Sequence, residues 1–191
     1  MKKSKKIAVV GLFAAIIVLL QILSYVLPVG AFNLSLVLIP IIIGAVLYGM
    51  STGVILGVVF GVVVTVACIT GLDKGGLILW SANPFYCGAI CLIKGAAAGF
   101  VAAAIGKLLK GKSLYLACVI SAVAVPVTNT GLFVLGMLVC FKQTLYAWSG
   151  GTDMLSYIIL SLVGINFVIE LLVNIIFAPA ITSVIKGVKR I

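Results

Sequence analysis

The chain has 191 residues, 64% of them hydrophobic and only 8% charged, with a net charge of +10 and a mean hydropathy of +1.44. A soluble domain carries roughly a quarter charged residues, so this composition excludes a water-covered globule and indicates a single-domain integral membrane protein. With no histidine and three acidic residues, it also leaves little for a metal-dependent or acid–base enzyme.

In chain order, the basic stretch MKKSKK precedes an apolar run over about 7–28, long for a leader and without an A-x-A cleavage site, which reads as a first transmembrane helix. The turn VGAFN, with Asn33, leads to a second, shorter run over 34–49 that contains Pro40. After the polar break MST, a third run covers 53–70 and ends in the long loop GLDKGGLILWSANP. A fourth covers 85–105. A fifth covers 114–141 and is interrupted by Pro126, expected to bend it. The loop KQTLYAWSGGTDM follows, then a sixth run over 155–185 and the basic tail KGVKRI. Backbone groups cannot stay unpaired in lipid and the loops suit no barrel, so the expected fold is an all-α bundle of six transmembrane helices.

The basic residues orient it. Lys2, Lys3, Lys5, Lys6, Lys107, Lys110, Lys112, Lys186, Lys189 and Arg190 fall on the side of the N-terminus; Lys74 and Lys142 fall on the other, and Lys94 within the fourth span. This positive-inside bias places both termini in the cytoplasm. The charge is then a topology signal and a contact for lipid headgroups, not a nucleic-acid footprint.

The octet GKLLKGKS at 106–113 satisfies the phosphate-loop pattern G-x-x-x-x-G-K-[ST]. A working phosphate loop follows a strand, opens a helix in an α/β domain and needs a carboxylate to help hold magnesium. Here a membrane helix precedes it, and Asp73, Asp153 and Glu170 all lie away from that turn. It reads as a basic cytoplasmic loop, so the chain has no ATPase site of its own and no catalytic residue is assigned. Cys87 and Cys91 stand one helical turn apart, but with no second pair and no histidine the five cysteines read as small hydrophobes and no metal site is assigned.

Small residues recur at four-residue spacing: Gly53, Gly57 and Gly61 on the third span, and Gly95, Gly99 and Ala103 on the fourth. Such stripes let helix backbones approach closely in lipid, and these two read as internal packing. Ala8, Gly11 and Ala15 on the first span are candidates for an outward dock for a partner membrane protein.

The polar residues inside the spans carry the functional signal, because ionisable groups there are costly and seldom face lipid. Lys94, Asn129 and Asn166 count to similar depths in the outer half, with Glu170 one turn deeper on the face it shares with Asn166 and Asn174. Lys94 and Glu170 form either a structural ion pair or part of a polar cavity open to the outside; the shared depth favours the cavity. Trp80 and Asn83 in the long outer loop and Asn33 in the first turn complete the candidate site, and Tyr146 and Trp148 belong to the outer aromatics.

The stretches LVLIPIIIGAVLYGMSTGVILGVVFG, IKGAAAGFVAAAIGKLL, VPVTNTGLFVLG and GINFVIELLVNIIFAPAI together resemble the substrate-binding S component of an energy-coupling factor (ECF) vitamin transporter. NTGLF and the N-x-x-x-E-x-x-x-N face of the last span resemble the group that takes folate, pantothenate or pyridoxine. The resemblance implies a subunit that captures a water-soluble vitamin from outside: pantothenate first, then folate, pyridoxine or riboflavin. It implies partners, namely a transmembrane coupling protein and two ATPase subunits that hydrolyse the ATP, with no cofactor on this chain. It also implies delivery by reorientation in the cell membrane. Family members dock through alanine-x-x-x-alanine on the first helix; Gly11-x-x-x-Ala15 departs from it in the first slot. The alternative is a self-sufficient secondary carrier or small channel, for which inverted repeats or a chain of titratable groups would speak.

Overall fold

A computed structural model of the chain describes residues 3–26, 36–151 and 153–190, and among them every regular element is helical. The elements are α1 (Lys3–Val26), α2 (Leu38–Tyr48), α3 (Met50–Thr70), α4 (Lys74–Ala82), α5 (Pro84–Leu108), α6 (Leu114–Cys140), α7 (Lys142–Ser149), α8 (Met154–Tyr157), a π-helical stretch (Ile158–Gly164) and α9 (Ile165–Arg190). Five segments are long and apolar enough to cross a membrane: Ile7–Tyr25, Met50–Thr70, Pro84–Leu108, Leu114–Cys140 and Asn166–Val188. The second predicted span is represented by α2, only 11 residues long, and its expected start at 34–35 lies outside the described residues.

Three departures from the expected elements have local causes. The outer loop after α3 contains α4, whose first turn Asp73 caps: Asp73 Oδ1 accepts from Gly76 N at 2.8 Å. The next outer loop contains α7, closed by Gly150 in the left-handed region at φ +57. The last predicted span divides into α8, the π-helical stretch and α9. Pro126 lies inside α6, which continues through it.

The centre of the bundle is the α3–α5 pair, and its seam follows from the glycines. A Cβ added at Gly53 would strike the carbonyl of Gly99, one at Gly57 that of Gly95, and one at Gly95 that of Gly57. With hydrocarbon on all sides, helices associate through packing, and only small residues allow backbones this close. Helices α1 and α2 pack on α3, α6 packs on α5, and α9 on α6. Ile17, Leu38, Ile41, Ile42, Leu56, Met137 and Ile181 are almost fully buried. The outward side of α3 is also apolar, with Ile55, Val58, Val62 and Val66 exposed, the all-round pattern of a span in lipid.

The octet at 106–113 is the end of α5, a tight turn and the start of α6. Gly111 takes φ +86, and Ser113 Oγ caps α6 by accepting from Leu116 N at 3.2 Å.

Candidate functional site

Helix α5 begins at Asn83, whose Oδ1 accepts from Tyr86 N at 3.1 Å, with Pro84 in the first turn. From that start Cys87, Cys91 and Lys94 follow at helical spacing on the inward side. Lys94 points between α3 and α6. Its ammonium lies 5.8 Å from the centre of the Phe60 ring and 5.3 Å from that of Phe133. The negative faces of the two rings attract the cation in place of water. No ion pair joins Lys94 to Glu170 among the described residues; the two groups line one cavity.

That cavity has a volume of about 130 Å³ and is bounded by Lys94, Asn129, Phe133, Asn166 and Glu170 together with Thr130, Val163 and Phe167. Asn129 is 7% exposed, and its Oδ1 has no hydrogen-bond partner among the described residues. A buried carbonyl oxygen left unpaired is costly, and this one stands in the wall of a polar hollow. The π-helical stretch ends directly before α9, on whose first turns Asn166 and Glu170 stand.

A second cavity of about 330 Å³ adjoins the first through Lys94, Phe133 and Asn166. Its further walls include Cys68, Cys87, Cys91, Asp73, Phe141 and Trp148. A third hollow, about 690 Å³, lies at the opposite end of α5, around Val46, Lys107, Lys110 and Lys112. It contains none of the buried polar side chains, and its polar lining is Tyr48 and the three lysines.

Lys94, Asn129, Asn166 and Glu170, expected together from their depth, therefore line one hollow. Trp80 and Asn83 do not line it. Trp80 packs beside Gly88, and Asn83 serves as the cap of α5. Asn33 lies outside the described residues. Asn174, on the same face as Glu170, is fully buried, and its Nδ2 donates to the backbone carbonyl of Glu170 at 2.8 Å. Phe133, Phe167 and the cysteines join the site without having been expected there; Trp148 was foreseen only as an outer aromatic. Ala8, Gly11 and Ala15 are exposed on α1 along with Leu12 and Leu19, one stripe turned away from the bundle.

The family described as ECF transporter, substrate-specific component, matches residues 5–183. The chain belongs to that family. No curated protein and no solved structure matches it. As an ECF substrate-specific component it is a membrane-embedded transport subunit, not an enzyme, and it works on a small-molecule substrate together with the other components of an ECF module. The polar hollow among α5, α6 and α9 is its candidate substrate site.

Proposed function

We propose that this substrate-specific component captures a small acidic vitamin from the outer side of the cell membrane, with pantothenate as the leading candidate. The observation that carries this reading is the orphaned Asn129 Oδ1 in the same wall as the Lys94 ammonium. One offers a buried acceptor and the other a half-buried cation. A carboxylate on Lys94, with hydroxyl and amide groups on Asn129, Asn166 and Glu170, satisfies all four side chains at once. Phe133 and Trp148 supply apolar walls. The adjoining cavity of about 330 Å³ is at the small end of the usual ~300–1,000 Å³ range for ligand pockets, which favours a short vitamin over folate or riboflavin, and pyridoxine lacks the carboxylate that Lys94 would hold.

Six crossings, with α2 as the short second one, put both termini in the cytoplasm and the cavities near the outer surface. The basic ends of α5 and α9 then face inward. A transmembrane coupling protein, docked on Ala8, Gly11 and Ala15, and two ATPase subunits supply the energy, and the loaded subunit reorients against them.

Calorimetry on the purified chain, with no nucleotide and no ion gradient, tests the reading. Pantothenate is expected to bind at one per chain, and Lys94→Ala to weaken it at least about thirtyfold, as loss of one partner of a hydrogen-bonded charge pair does. Binding of none of the four vitamins, or equal affinity in a folded Lys94→Ala variant, overturns it. Flux driven by a proton or sodium gradient through this chain alone in liposomes would favour a self-sufficient carrier.

A further inference from the structure

Three thiols meet in the wall of the larger cavity. Cys68 lies near the end of α3, and Cys87 and Cys91 lie one turn apart on α5. Their Sγ atoms are all within 4.8 Å of one another. The side chains are 2%, 3% and 6% exposed in that order, and all three line the cavity. Cys118 and Cys140 sit apart from them on α6. The third donor is a product of tertiary packing. Gly61 allows α3 to lie against the backbone of α5 at Cys91, because a Cβ there would meet the Cys91 carbonyl. Gly76 then brings α4 over the cluster, since a Cβ at that position would strike Cys68 Sγ. Cys87 Sγ already donates to the Gly76 carbonyl at 3.9 Å.

We propose that Cys68, Cys87 and Cys91 form a three-sulfur site for a thiophilic cation with a filled d shell, of the copper(I), zinc and cadmium class. Around such an ion, with metal–sulfur bonds of ~2.3 Å, three sulfurs stand roughly 4 Å apart. The cluster reaches that geometry by small rotations about the Cα–Cβ bonds. The donor set is all sulfur, which selects soft ions over magnesium or calcium. Asp73, the nearest carboxylate in the cavity wall, is already engaged as the cap of α4. As three metal–sulfur bonds form, three thiol protons leave through the cavity. The resulting complex carries net negative charge with a monovalent or a divalent ion. Lys94, one turn beyond Cys91 and lining the same cavity, offsets part of it. A divalent ion keeps its fourth position toward the cavity.

The test uses the reduced, detergent-purified chain, cadmium(II) alone as probe, and no vitamin, so its outcome is independent of the substrate reading. Titration is followed by the ultraviolet charge-transfer band of cadmium thiolate. The expected result is a band that saturates at one cadmium per chain. Its dissociation constant should weaken at least about tenfold in each of Cys68→Ser, Cys87→Ser and Cys91→Ser, and stay unchanged in Cys118→Ser and Cys140→Ser. A band that never forms, one whose dissociation constant is unchanged in Cys91→Ser, or one that disappears with Cys118→Ser overturns the site. If serine variants fail to fold, alkylation of the unaltered chain by iodoacetamide decides by mass spectrometry. Cadmium should shield Cys68, Cys87 and Cys91 and leave Cys140 as reactive as before. Equal labelling of the three with and without cadmium overturns the proposal.

Discussion

Asn129 is the residue at which stability and binding pull in opposite directions. Its Oδ1 is buried without a partner among the described residues, so the fold bears a desolvation cost that, on the proposed function, a bound substrate would relieve. Replacing it by alanine removes both the cost and the ligand contact. Asn129→Ala should therefore leave the thermal midpoint of the empty protein unchanged or raise it. Vitamin affinity should fall about three- to tenfold, the worth of one neutral hydrogen bond. Paired thermal unfolding and calorimetry separate this from an ordinary structural asparagine, whose loss lowers the midpoint. The polar quartet could be recognised in advance because a charge or amide in a span has few places to go, and counting depth from the helix ends brings such groups level. Phe133 and Trp148 gave no comparable signal, since an aromatic residue suits lipid, interface and cavity alike. Cys68 was invisible for a further reason: only the packing of α3 on α5 puts it beside Cys87 and Cys91.

At the scale of elements, the glycine seam is the most constrained feature. Gly57 and Gly95 approach carbonyls rather than flexible side chains, so an added methyl group has to push two helix backbones apart. Gly57→Ala should lower stability by about 1–3 kcal/mol, in the range of overpacked cores. Gly131, exposed on α6 with nothing within 4 Å of an added Cβ, is the control. Gly131→Ala should be neutral or stabilising by up to ~1 kcal/mol through helix propensity. Unfolding of both variants in one detergent checks the contrast, and equal effects would show that the seam is loose. This seam was legible in the sequence, because four-residue spacing projects onto one helix face whatever the surroundings. Helices α4 and α7 were not, since each is under ten residues and lies in a stretch rich in glycine and polar residues. The local signal for α4 was nevertheless present: Asp73 three residues before Gly76 is an N-cap pattern. The start of α9 was hidden by hydropathy, which runs unbroken through the π-helical stretch and cannot register a change of winding.

At the scale of the whole molecule, the proposed function raises the question of how a substrate site at one end of the bundle communicates with the other components of an ECF module. The cavity of about 330 Å³ lies where α4 and α7 cover the bundle, whereas Lys107, Lys110 and Lys112 crowd the opposite end of α5. The stripe of Ala8, Gly11 and Ala15 belongs to neither region. It faces outward on α1, whose opposite side buries Ile17, Gln21 and Ser24 against the bundle. A Cβ at Gly11 meets nothing within 4 Å, so a bulky side chain there does not disturb the fold of the isolated subunit. It would, however, fill the close approach that small residues permit between membrane helices. Gly11→Trp should therefore bind vitamin with a dissociation constant within about twofold of the parent, as expected for a distant, uncoupled site. In vesicles that contain the coupling protein, both ATPase subunits and ATP, uptake should fall to background. Binding is read by calorimetry and uptake by labelled vitamin, so folding and docking are judged separately. Normal uptake by Gly11→Trp would move the dock off this stripe, because a tryptophan cannot occupy a helix–helix contact built for a hydrogen atom.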